Sequence, residues 1–209
     1  MVHVVLIGDS ILDNAAYVPQ GGDVASILMK QLGDGQVTLL ARDGAVIEDA
    51  VDQVSSIPDG ATFLVISAGG NDALQSIGVL LESVRTVAEA LEKVRVIRDR
   101  FRDRYRALLN DVGRYDRPMA ICTIYDVMLP DLQQRRVANL ALGVLNDVII
   151  REAARRGLPL IDLRVMFSEE QHYANAIEPS EQGSRLIAAA LVEAMHKAPS
   201  DRSMIHTGL

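Results

Sequence analysis

Five short and almost continuously apolar runs recur along the chain, separated by longer segments of mixed polarity. The runs are HVVLIG, QVTLLAR, TFLVISAG, MAICTIY and LPLIDL. Unbroken hydrophobicity is typical of strands that are buried on both faces of a parallel sheet, whereas half-buried strands alternate polar and apolar residues. The pattern therefore predicts an α/β protein with a five-stranded parallel sheet between helices, and functional groups at the carboxyl ends of the strands.

The segments between the apolar runs are long enough to be crossover helices. Helices are predicted in GGDVASILMKQLG, in AVIEDAVDQVSSI, from about Ile77 to Val112, in DLQQRRVANLALGVLNDVIIREAARRG, and from about Glu181 to His196. In the predicted helix from about Ile77 to Val112, apolar residues recur at helical spacing; they are Val94, Ile97, Phe101, Tyr105 and Leu108. This spacing predicts that they form one buried face and that the many arginines of the helix lie on the opposite, solvent-exposed face.

Length and composition predict one globular domain over residues 1–197. The 209 residues are 49% hydrophobic, enough for one sizeable core, while the polar segment 198–209 is predicted to be a disordered tail. We find neither a signal peptide nor an apolar run of membrane-spanning length, and the single cysteine cannot form an internal disulfide, so a soluble cytoplasmic protein is predicted. The net charge of −7 argues against nucleic acid as a partner and favours a small uncharged or cationic ligand.

The first apolar run ends in IGDSILDN, a strand-to-helix turn that carries a serine. Gly8 permits a tight turn, and Ser10 just beyond it would project its hydroxyl at the carboxyl edge of the sheet. Taken by itself this triplet has a simpler explanation, because Ser and Asp are common helix N-caps.

Two further loops, each following a predicted strand, contain hydrogen-bond donors. Gly44 follows the second strand in LLARDGAVIED, and Asn71 follows the third in VISAGGNDAL. Acyl transfer develops negative charge on the former carbonyl oxygen, so a free backbone N–H and a side-chain amide are the groups that this chemistry requires.

These three blocks, in this order and each at the end of an apolar strand, resemble the SGNH/GDSL hydrolases from Val4 to about Leu191. The resemblance implies a flavodoxin-like α/β/α sandwich. It also implies hydrolysis of small carboxylic esters or thioesters, with no metal or organic cofactor. Ser10 would be the nucleophile, and its backbone N–H, Gly44 and Asn71 would form the oxyanion hole.

The last block, NAIEPSEQGSRLIAAAL, departs from the family pattern of an Asp, two residues and a His. With Pro179-Ser180 and Gly183 in register, Asn175 falls at the aspartate position and Glu178 at the histidine position. An ordinary carboxylate has a pKa of roughly 4.3 and is a poor base for a hydroxyl unless desolvation raises that pKa.

Three hypotheses for the base follow. Glu178 acts as the base in a Ser-Glu dyad, or His172, six residues upstream, reaches Ser10 instead. In the third, the chain has lost efficient hydrolysis and uses the Ser10, Gly44 and Asn71 cluster to bind a small oxygen-rich ligand. Glu178 ranks first because it keeps the register of the block.

Two other sets of residues have simpler interpretations. Asp9, Asp72 and Asp126 fall near strand ends, but no Walker or dinucleotide-binding motif accompanies them, so no metal site is predicted. Cys122 lies within the fourth apolar run and is predicted to be a buried small hydrophobe rather than a nucleophile.

Overall fold

Six parallel strands form one sheet in the order β2-β1-β3-β4-β5-β6. The structure, a computed structural model, describes residues 1–196 and 205–207. The strands are β1 His3–Gly8, β2 Gln36–Leu39, β3 Phe63–Ser67, β4 Met119–Cys122, β5 Leu160–Ile161 and β6 Ile205–His206. The order of the first five is that of a doubly wound, flavodoxin-like sheet. The chain adds β2 on one side of β1 and the later strands on the other side, so the order reverses between β1 and β3. The predicted fold class is confirmed.

The predicted number of strands is one too low, because β6 lies in the segment predicted to be a disordered tail. Ile161 of β5 pairs in parallel with His206, and Leu160 pairs with Ile205. A two-residue strand is too short to produce a hydrophobic pattern, so the sequence carries no signal for it. The rest of that tail, 198–204 and 208–209, lies outside the described residues.

Helices cover both faces of the sheet. They are α1 Val24–Leu32, α2 Ile47–Val54, α3 Gly70–Ser76, α4 Val87–Gly113, α5 Leu132–Arg156, α6 Leu163–Met166 and α7 Glu181–His196.

Successive residues of β1 face opposite layers of helices. Val4 and Leu6 belong to a core cluster that includes residues of α1 and α7, whereas Val5 and Ile7 belong to a second cluster with residues of α2, α4 and α5. All six residues of β1 are buried, as the unbroken apolar run predicts.

Side-chain caps determine where three of these helices begin. The carboxylates of Asp23 and Asp131 and the hydroxyl of Thr86 each accept a backbone N–H from three residues further on, at the start of α1, α5 and α4. The third predicted helix is divided: a 3₁₀ turn occupies Ile77–Leu81, and α4 begins only at Val87. Among the described helices, none has both the length and the apolarity to cross a bilayer.

Candidate active site

The turn after β1 brings the chain unusually close to β3 and places Ser10 at the carboxyl edge of the sheet. Gly8 has a φ of 136°, and a Cβ at this position would lie 1.7 Å from the carbonyl oxygen of Ser67. The side chain of Gln53 holds Gly8 from the other side, accepting its N–H (2.8 Å) and donating to its carbonyl (2.9 Å). Only glycine fits here, so the tight turn that positions Ser10 depends on it.

The loops after β2 and β3 are joined by the side chain predicted to bind an oxyanion. Asn71 Nδ2 donates a hydrogen bond to the carbonyl oxygen of Ala45, at 3.0 Å, and so lies next to Gly44 in the preceding loop. Within residues 1–196 and 205–207, neither the Ser10 N–H nor the Gly44 N–H donates to a protein group. In the described part of the chain, these two backbone donors and the second amide hydrogen of Asn71 have no acceptor. Asn71 and Ser10 line the same cleft, whereas Gly44 is exposed and is not among the described residues that line it.

Glu178 lies directly against the serine. The Ser10 hydroxyl donates to Glu178 Oε1 at 3.2 Å, although the two residues are 168 positions apart. Glu178 is only 4% exposed, and in the described part of the chain its second oxygen, Oε2, has no hydrogen-bond partner. Burial raises the pKa of Glu178 to about 7, with the charge of Asp43 adding to the rise and the Ser10 hydrogen bond opposing it. A carboxyl group with this pKa is half ionised near neutral pH.

Asn175 supports the backbone of Glu178 rather than its charge. Its Oδ1 accepts the backbone N–H of Ile177 at 2.9 Å and that of Glu178 at 3.0 Å, an arrangement typical of an Asx turn. The carbonyl of Glu178 also accepts the N–H of Ala174, at 2.8 Å. The short loop is therefore closed on itself, with the carboxylate pointing at the serine.

His172, the alternative base, is occupied elsewhere in the same loop. Its Nδ1 accepts the backbone N–H of Glu169 at 3.3 Å, and its ring packs edge-on against Phe167. In the part of the chain that the structure describes, His172 is not among the side chains that line the cleft. The structure thus brings Glu178 to Ser10, and it does not bring His172 there.

A second buried carboxyl group, Asp9, lies beside the serine. Asp9 is 1% exposed and its Oδ1 accepts the N–H of Ile11 at 3.2 Å. Burial raises the pKa of Asp9 to about 7, against the backbone N–H groups of Ile11 and Gly70, which lower it, while the charge of Glu178 raises it further. The sequence indicated a turn-forming role for Asp9 but could not indicate this coupling, which depends on residues far apart in the chain.

The remaining candidates take structural positions. Asp72 Oδ2 accepts the N–H of Ile47 at 3.0 Å, which ties α3 to the start of α2, and Asp126 is exposed. Across residues 1–196 and 205–207, no group of three His, Cys, Asp or Glu side chains is close enough to bind a metal ion. Cys122 is buried, and burial raises the pKa of its thiol to about 12, so the thiolate nucleophile is not accessible at neutral pH.

A cleft of about 980 Å³, counted with the space open to solvent, extends away from Ser10. Its polar end holds Asp9, Ser10, Asn71 and Glu178. The rest is lined mostly by aliphatic side chains of α3, the 3₁₀ turn Ile77–Leu81, α4, α5 and the loop after β4. The sequence does not predict this cleft, because the apolar face of α4 that reaches it has the spacing of a core face.

Comparisons with known proteins bear on the family and the fold of this chain. A profile of the GDSL-like lipase/acylhydrolase family matches residues 6–186. The structure is similar to that of a lipolytic protein of the G-D-S-L family from Veillonella parvula, with 16% identity, a TM-score of 0.71, and coverage of 94% of this chain and 100% of that one.

Two Streptomyces enzymes are similar at the same level. An extracellular lipase from Streptomyces rimosus has 14% identity, a TM-score of 0.69, and coverage of 93% of this chain and 100% of that one. Phospholipase A1 from Streptomyces albidoflavus has 15% identity, a TM-score of 0.67, and coverage of 92% and 99%. No curated protein matches the sequence. At such identities the structural likeness shows the shared fold.

Proposed function

Because this chain belongs to the GDSL-like lipase/acylhydrolase family, we propose that it is a serine hydrolase of carboxylic esters or thioesters in which Glu178 replaces histidine as the base. The observation that carries the proposal is the 3.2 Å hydrogen bond from the Ser10 hydroxyl to Glu178 Oε1. A base must lie within hydrogen-bond reach of the proton that it removes, and Glu178 does so without an intervening group.

The proposed reaction has two half-reactions. Glu178 takes the hydroxyl proton of Ser10 as Oγ attacks the carbonyl carbon, and the resulting oxyanion accepts hydrogen bonds from the N–H groups of Ser10 and Gly44 and the amide of Asn71. The protonated Glu178 then gives its proton to the departing alkoxide or thiolate, which leaves an acyl ester on Ser10. In the second half, Glu178 removes a proton from water as the water oxygen attacks the acyl carbon. The bond from that carbon to Ser10 Oγ then breaks, protonated Glu178 returns the proton to Oγ, and the carboxylic acid is released.

Charge conservation explains why an asparagine at position 175 is compatible with this chemistry. A neutral histidine base becomes an imidazolium, which an adjacent aspartate must stabilise. A glutamate base starts as an anion and becomes neutral, so the single negative charge only moves from Glu178 to the oxyanion. Burial favours a neutral Glu178, which makes the carboxylate a stronger base than in water. Asn175 then needs only to hold the loop, and its amide oxygen does so.

The test is hydrolysis of p-nitrophenyl acetate together with labelling by a fluorophosphonate, which reacts with activated serines. We expect labelling and turnover in the wild type and neither in Ser10→Ala. Turnover should rise with pH through about 7 as Glu178 ionises. Glu178→Gln should lose at least about 10²-fold in kcat, the scale of general-base catalysis. Glu170→Gln, which changes an exposed carboxylate in the same loop, is the control.

Each alternative has its own outcome in this test. Equal turnover in the wild type and Glu178→Gln, with loss in His172→Ala, would assign the role of base to His172. An absence of labelling and turnover at every pH would favour the binding of a small oxygen-rich ligand without catalysis. The cytoplasmic location remains a prediction, since one structurally similar enzyme is extracellular.

A further inference from the structure

The cleft beyond Ser10 has its polar groups mainly at one end. Away from that end its walls are aliphatic except for two hydroxyl groups, and each of these already donates a hydrogen bond within the protein. The Tyr125 hydroxyl donates to the carbonyl of Ile177 at 2.6 Å, and the Ser76 hydroxyl donates to the carbonyl of Asp72 at 2.9 Å. A sugar or peptide would find few partners for its own polar groups there, and burying them unpaired is costly.

Helices α3, α4 and α5 supply these walls together with the 3₁₀ turn Ile77–Leu81 and the loop after β4. Val94 and Ile97 continue the apolar face of α4 beyond the part buried in the core. On α5, the lining residues nearest its start are Ala138 and Ala141, whose small side chains leave space in the cleft. The apolar face of α4 therefore has two roles, with its later turns in the core and its earlier turns facing the cleft.

The length of the α5 wall indicates what fits. The lining residues from Ala138 to Leu145 span seven helical positions, which is about 10 Å at 1.5 Å per residue and roughly the length of an extended chain of eight carbons. We propose that this cleft binds a linear alkyl chain of the ester substrate, of medium length, and that Ala141 determines how long that chain can be. The inference rests on the proposed function, because the chain is placed by the attack of Ser10 on the ester.

The first experiment measures kcat/KM for p-nitrophenyl esters from acetate to octanoate. Each buried methylene is worth about 0.8 kcal/mol, or about fourfold in kcat/KM, so partial burial of six methylenes should raise the octanoate-to-acetate ratio at least about 30-fold. Ala141→Phe fills the cleft and should lower that ratio at least about tenfold. Ala154→Phe adds the same ring at an exposed site of the same helix and should leave the ratio unchanged. Should Ala141→Phe fail to fold, Ala141→Leu provides a smaller obstruction.

Octyl acetate distinguishes whether the alkyl chain in the cleft belongs to the acyl group or to the alcohol of the ester. A length preference among p-nitrophenyl esters indicates an acyl chain in the cleft, whereas a preference for octyl over ethyl acetate indicates an alcohol chain. Either result, when reversed by Ala141→Phe, supports the inference. Equal rates for all chain lengths, or an equal loss of every rate in Ala141→Phe, would overturn it.

Direct binding separates this inference from the catalytic proposal. The probe is 1-octanol, titrated calorimetrically into Ser10→Ala, which cannot turn over, with 1-propanol as the control. Binding of 1-octanol that is weakened at least tenfold by Ala141→Phe supports the alkyl site even if no ester is hydrolysed. Hydrolysis without any chain-length preference and without 1-octanol binding would leave the catalytic proposal intact and refute the alkyl site.

Discussion

Burial of the ionised Glu178 carboxylate beside Ser10 should cost the protein stability at alkaline pH, and Glu178→Gln should recover it. The folded protein raises the pKa of Glu178 from its ordinary value of 4.5 to about 7. At about 1.4 kcal/mol for each tenfold change in proton affinity, this corresponds to about 3 kcal/mol. Glutamine keeps the shape of the side chain and can still accept the Ser10 hydroxyl, but it carries no charge to desolvate.

The sign of the pH dependence follows from proton binding. Between pH 4.5 and 7 the unfolded chain releases the proton of Glu178 while the folded protein retains it, so the free energy of unfolding of the wild type falls as pH rises. The variant lacks this dependence. Its advantage should therefore be small at pH 5 and greater by about 2.5 kcal/mol at pH 8.5, because the pKa of about 7 already includes the hydrogen bond from Ser10.

The assay is urea unfolding of the wild type and Glu178→Gln at several pH values from 5 to 8.5, with Glu170→Gln as the exposed control. Asp9 is also buried with a raised pKa, which the charge of Glu178 raises further, so Glu178→Gln should lower the pKa of Asp9 and change the difference in the same direction. The control should stay within about 0.5 kcal/mol of the wild type throughout. A constant difference between wild type and Glu178→Gln across this range would refute a raised pKa at Glu178, and with it the physical basis for a glutamate base.

Substitutions at four further positions test other parts of the site. Asn71→Ala should lower kcat for p-nitrophenyl acetate by about 10²–10³-fold with less change in KM, and a purely KM effect would contradict an oxyanion role. Gly8→Ala should lower the free energy of unfolding by more than about 4 kcal/mol, since the new Cβ would lie 1.7 Å from the Ser67 carbonyl oxygen; normal stability in urea would contradict that geometry. His172→Ala should keep kcat within a few-fold, and a loss of 10²-fold would restore it as a candidate base. Asn175→Ala should lower kcat about tenfold and Asn175→Asp should restore it, since either Oδ1 accepts the same two backbone N–H groups; no rescue would show that the Asx turn is not what positions the base.

The turns that carry the candidate residues were predictable because their signals are local. Gly8 ends one buried strand and Asn71 follows another, and the carboxyl ends of adjacent parallel strands meet at one edge of a sheet. Gly44 follows β2, where the prediction of burial on both faces was wrong, because β2 is an edge strand with exposed and half-buried residues. The structure places Ser10 and Asn71 in one cleft and ties Asn71 to the residue after Gly44. Their catalytic roles stay predictions until the substitutions are measured.

The apolar runs of the sequence by themselves determined the layered α/β fold, because burial on both faces requires nearly every residue of a strand to be apolar. Which carboxylate or imidazole meets Ser10 was decided by tertiary structure: Glu178 and His172 lie six residues apart in one loop, and backbone hydrogen bonds within that loop direct only Glu178 to the serine. The tertiary structure likewise decided that part of the apolar face of α4 lines a cleft. Helical spacing of apolar residues indicates which face of a helix is shielded from water. A face that packs on the core and a face that lines a ligand cleft have the same spacing, so the sequence does not distinguish them.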